Sequence, residues 1–154
     1  MKTLNPLSLV AASLLMLVSL PAFAVLGGDE SSITTDAAQM KATVRVTPSD
    51  AFAVHEAKAP DGQVVREYVS PAGRVFGVAW QGRSIPDMRQ LLGAYFQQFS
   101  AAAQAAKVGH PGRRPLNIQL PGLVVQTAGH MRSFYGRAFD PGLLPQGVHE
   151  DEVR

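Results

Sequence analysis

The sequence predicts an α+β domain: an antiparallel β-meander and a C-terminal strand pair packed against one long α-helix, preceded by a signal peptide. Three observations predict it. Short runs of β-branched and aromatic residues, broken by proline–glycine turns, lie on both sides of a central segment. In that segment Met88, Leu91, Leu92, Tyr95, Phe96 and Phe99 recur at steps of three and four, the spacing of a helix with one apolar face. Strands, then one helix, then strands argue for an antiparallel sheet covered by that helix.

The first residues form a separate unit. Lys2 precedes an almost uncharged run from Leu7 to Leu20, closed by Pro21, Ala22, Phe23 and Ala24, the small-x-small pattern that signal peptidase reads. The run is shorter than the roughly twenty residues needed to cross a hydrocarbon core. Residues 1–24 are therefore expected to be a signal peptide, and a retained anchor ranks below cleavage. This implies a periplasmic or secreted protein with no membrane span after signal removal. The chain has no cysteine, which excludes disulfide staples, zinc ribbons and thiol nucleophiles. At the length left after cleavage, folding buries roughly two thirds of the unfolded surface, so one core suffices.

Residues 25–40 are small and polar without a sustained period, and read as a flexible lead-in. The single α+β domain spans 41–140. Thr43 to Thr47 alternates as a strand, and Phe52 to Lys58 resumes the pattern after Pro48, Ser49 and Asp50. Pro60, Asp61 and Gly62 carry turn chemistry, as do Ser70, Pro71, Ala72 and Gly73, so Val64–Ser70 and Arg74–Trp80 complete a three-stranded meander. Period two places Phe76, Val78 and Trp80 on one face, for the helix to cover. Ser84 and Asp87 stand in the relation of a capping box, with Pro86 in the first turn and the helix running to about Lys107. Pro111, Gly112 and Pro115 force a loop carrying Arg113 and Arg114. A strand from Leu120 or Leu123 to Thr127, a turn at Ala128 and Gly129, and a strand from Met131 to Phe139 form the last pair. Residues 141–154 read as a weakly ordered acidic tail.

Charge is unevenly distributed. Between Arg66 and Arg137 nine lysines and arginines face only Glu67 and Asp87, whereas Glu150, Asp151 and Glu152 cluster near the end. The middle of the fold is thus expected to be electropositive. Most catalytic signatures are absent. There is no G-x-S-x-G elbow, no H-E-x-x-H and no phosphate loop. The histidines, His55, His110, His130 and His149, stand singly, so no metal and no cofactor is expected. Tyr68, Trp80 and Phe134 among basic residues could stack on single-stranded nucleic acid, but export argues against a nucleic-acid partner.

One candidate binding cluster remains: Trp80 and Arg83 at the end of one strand, with His130, Arg132 and Arg137 from the last pair, facing an anionic or sugar-like ligand. The competing reading makes Trp80 core, His130 a turn residue and the arginines solvated, and it is the stronger of the two. Function is unknown on this reading. It points to a non-enzymatic periplasmic binding or interaction module whose partner is an anionic envelope component or another envelope protein. The alternative is a periplasmic hydrolase using His130.

The stretches LGG after the signal, VREYVSPAGRVFGVAWQG, PDMRQLLGAYF and LVVQTAGHMRSFYGRA together resemble an uncharacterised family of exported proteobacterial proteins catalogued as a domain of unknown function. The resemblance departs at Gly77 and Arg83, where alanine and proline are expected. It implies periplasmic or secreted placement and no activity, cofactor or catalytic residue.

Overall fold

A computed structural model describes residues 26–109 and 115–154; the expected signal peptide and the segment His110 to Arg114 lie outside the described residues. Seven strands form one antiparallel sheet: β1 (Thr43–Pro48), β2 (Ala53–Lys58), β3 (Val64–Val69), β4 (Val75–Gly82), β5 (Leu116–Leu120), β6 (Leu123–His130) and β7 (Ser133–Phe139). The sheet order is β1-β2-β3-β4-β7-β6-β5. The expected turn residues make the tight connections of the meander. Asp61 Oδ1 accepts from Gln63 N at 2.9 Å, and Gly62 and Gly73 adopt φ of 88° and 73°, a region open to glycine at no steric cost.

The helical segment between β4 and β5 comprises α2 (Met88–Leu92), one 3₁₀ turn (Gly93–Tyr95) and α3 (Phe96–Gly109). It starts later than a Ser84 cap implies. Asp87 is the N-cap, its Oδ1 accepting from Arg89 N at 2.8 Å and Gln90 N at 3.4 Å. A Ser84 cap would put Ile85 in the first turn, and a residue preceding proline resists helical angles. Leu91, Leu92 and Phe99 bury against Val65, Val69, Val75, Val78, Trp80, Val125 and Ala138 of the sheet. Several such apolar side chains, each contributing roughly 1.5–3 kcal/mol on burial, account for the attachment of this layer.

Three further sequence expectations change. Phe76 leaves the face of Val78 and Trp80, because the β3–β4 register shifts between Tyr68 and Val69, pairing Tyr68 with Gly77 and Val69 with Val75. The extra residue in this bulge turns Phe76 to the opposite side, where it joins Tyr68, Ala79, Phe139 and Val153 in a second core. The turn expected at Ala128 and Gly129 lies instead at Met131 and Arg132, the pairing of β6 and β7 continuing to His130 and Ser133. Leu116–Leu120 is a strand of its own, paired with β6.

Finally, both flanks of the domain are packed. In the lead-in Leu26 and Ile33 are buried, the latter starting helix α1 (Ile33–Gln39), and Asp29 bridges to Arg74. Residues 141–154 fold across the second face with Val148 and Val153 buried, because Tyr68, Phe76 and Phe139 there present an aromatic surface that the long helix does not reach. Below, residues 143–154 are termed the strap.

Candidate functional site: a polar row across the sheet

Antiparallel register carries one line of side chains across all seven strands. Arg45 pairs with Glu56, Glu56 with Arg66, Arg66 with Ala79, Ala79 with Arg137, Arg137 with Gln126, and Gln126 with Asn117. Directly paired residues share a face. Ala79 belongs to the second core, so the row lies on the strap side of the sheet. Six inter-strand steps of about 4.8 Å make it about 29 Å long. Its arginines occupy alternate strands, β1, β3 and β7, at intervals of about 10 Å.

The row is ordered by specific contacts. Arg66 Nε donates to Glu56 Oε2 at 2.8 Å, both side chains half-buried. Arg137 Nε donates to Gln126 Oε1 at 2.8 Å, while its Nη1 donates to the carbonyls of Glu150 at 2.7 Å and Val153 at 3.2 Å. Its guanidinium also stands 5.6 Å from the Phe139 ring centroid, a cation–π distance. Arg45 is exposed and makes no ion pair among the described residues.

Two grooves flank the strap. One of about 500 Å³ is lined by Gln81, Asn117, Gln126, Tyr135 and Arg137 among others, and one of about 550 Å³ by Arg45, Glu56, Tyr68 and Glu152. Arg66 and Arg154 line both. Tyr135 is 57% exposed, an aromatic ring open at the first groove. Arginine forks, side-chain amides and an open phenol are groups able to hydrogen-bond carboxylate, phosphate and hydroxyl groups.

The sequence-predicted residues divide over this frame. Arg137 is in the row. Trp80 borders the first groove but belongs to the core under the helix, 2% exposed, with its indole Nε1 buried and unpaired among the described residues. It pairs with Gly136, whose missing side chain makes room for the ring. Arg83, His130 and Arg132 are exposed at one end of the sheet, where Gly82 pairs with Phe134 and His130 with Ser133. The five therefore do not converge on one point. Sequence reasoning missed Arg45, Arg66, Gln126 and Asn117. The arginines at alternating strand positions were a signal, but only register aligns them.

Among the described residues no group of three or more histidines and acids is placed to hold a metal ion, and no helix is long and apolar enough to cross a membrane. A family profile described as Protein of unknown function (DUF2844) matches residues 22–153. The chain belongs to that family. The DUF2844 match covers the meander, the helix, the last strands and nearly all of the strap. Neither the curated proteins nor the solved structures compared give a match.

Proposed function

We propose that this DUF2844 chain is an exported, non-enzymatic binding module of the periplasm or medium, whose arginine row takes an extended anionic component of the envelope. The observation that carries the reading is the row itself: three arginines on alternate strands, followed on the same face by two amides. A linear chain with repeated carboxylates or phosphates meets a cation about every 10 Å along it, and Gln126 and Asn117 continue the line as hydroxyl partners. Guanidinium groups suit this because their planar fork bonds carboxylate or phosphate through two parallel hydrogen bonds.

Calorimetric titration of the protein with polygalacturonate oligomers, polyphosphate and neutral dextran tests the reading. Binding to one of the polyanions, weakened by added salt and by Arg45→Gln and Arg66→Gln, is expected, with dextran silent. Polyanion binding indifferent to both substitutions, or none at low salt, overturns it.

A hydrolase using His130 is the second reading, and one observation favours it: Ser133 stands directly across from His130 at the mouth of the β6–β7 turn. Among the described residues His130 makes no side-chain hydrogen bond that would orient it, and general-base catalysis depends on such positioning. Labelling of Ser133 by a fluorophosphonate probe, abolished in His130→Ala, is the outcome that would establish this chemistry.

A further inference from the structure

We infer that the strap regulates the arginine row by competing with the ligand for Arg137, an inference that rests on the binding reading above. Arg137 occupies the third cationic position of the row, and its Nη1 is held by two main-chain carbonyls of the strap, those of Glu150 and Val153. A ligand anion that takes the full fork of this guanidinium has to displace them.

The strap turns at a defined point. Val148 is buried beside the second core, and Gly147 before it adopts φ 82°, a conformation that marks a sharp change of chain direction. Beyond it the segment is held by Arg137, by the burial of Val153 and by Tyr68. His149 and Glu152 close a capping box around one 3₁₀ turn, Val153 inserts against Gly77, and Tyr68 clasps Arg154. That clasp is reciprocal: the Tyr68 hydroxyl donates to a main-chain oxygen of Arg154 and accepts from Arg154 N at 2.9 Å.

Charge points the same way. Glu150, Asp151 and Glu152 lie on the strap, where Glu150 gives its main-chain carbonyl to Arg137 and Glu152 lines the second groove. While the strap is down, their negative charge repels a polyanion that approaches this face. Strap closure and ligand binding are therefore linked, and the apparent affinity falls with the fraction of molecules whose strap is open.

The experiment compares the full chain with Tyr68→Phe, which loses the clasp, and with a chain lacking residues 150–154, using the polygalacturonate or polyphosphate oligomer that binds the wild type. Both variants should bind the oligomer more tightly, by roughly tenfold if a tenth of wild-type molecules are open. Hydrogen exchange gives an independent readout. Saturating oligomer should speed exchange at the amides of Val153, bonded to the Glu150 carbonyl, and of Arg154. Unchanged or weakened affinity in Tyr68→Phe that melts cooperatively, or slower exchange of those amides on binding, overturns the inference. Arg66→Gln separates the two ideas: if it leaves oligomer binding intact, the row has failed; if it abolishes binding while Tyr68→Phe changes nothing, only the strap has.

Discussion

The indole of Trp80 lies over Gly136 on the neighbouring strand: a β-carbon at position 136 would stand 2.7 Å from Trp80 Cε2 and 2.7 Å from the Gln126 carbonyl. The two residues are paired across β4 and β7, so one ring fills the space of two positions beneath the helix.

Gly136→Ala is accordingly expected to destabilise the fold by about 1–3 kcal/mol, the usual penalty of overpacking a core that cannot shift. Its backbone neighbour cannot move aside as a side-chain tip would. A thermal melt followed by tryptophan fluorescence checks this, and Trp80→Phe in the Gly136→Ala background should recover part of the loss. A melting temperature equal to wild type in Gly136→Ala would contradict the packing described.

Alkaline pH should loosen the contact between the helical segment and the residue that follows β7. The Tyr95 hydroxyl donates to Asp140 Oδ2 at 2.7 Å, and burial, reinforced by that bond and by the carboxylate's charge, pushes the phenol up to about 12. Folding thus favours the protonated phenol. Its stabilisation is fully present below the ordinary value of 10.0 and is lost as pH rises through about 12. Melts of wild type and Tyr95→Phe should differ at neutral pH and converge across that window, and a gap independent of pH would refute the assignment.

The β6–β7 turn should be improvable. Met131 and Arg132 adopt φ of 43° and 67°, and each non-glycine residue in the left-handed region costs roughly 1–2 kcal/mol. Replacing the pair by Asn-Gly, the residues best suited to a two-residue hairpin turn, should raise stability by about 1–2 kcal/mol in urea titration. A fall in stability would mean that Met131, 84% exposed, or Arg132 makes contacts that hold the turn.

The α+β class, the proline–glycine turns of the meander and the helix from Met88 onward were all legible, because each rests on local chemistry within a few residues. The errors share a cause. Period two assigned Phe76 to the helix side, and the bulge that moved it is set by pairing with Tyr68, a partner on another strand. The polar segment 141–154 resembled a free tail by composition, since only Val148 and Val153 bury deeply and nothing nearby in sequence offers them a surface. Of the candidate site, Arg137 was found and the rest of its row was not.

Composition and periodicity by themselves determined a cysteine-free α+β chain with a basic middle, one amphipathic helix and alternating strands, because these follow from side chains and their near neighbours. Only the tertiary structure decided that Arg45, Arg66 and Arg137 share a line, that Trp80 faces away from them, and that the strap holds one of the three. The reason is register: a shift of one residue between strands sends every side chain to the other face, and that shift is chosen by bulges and packing between segments far apart in the chain.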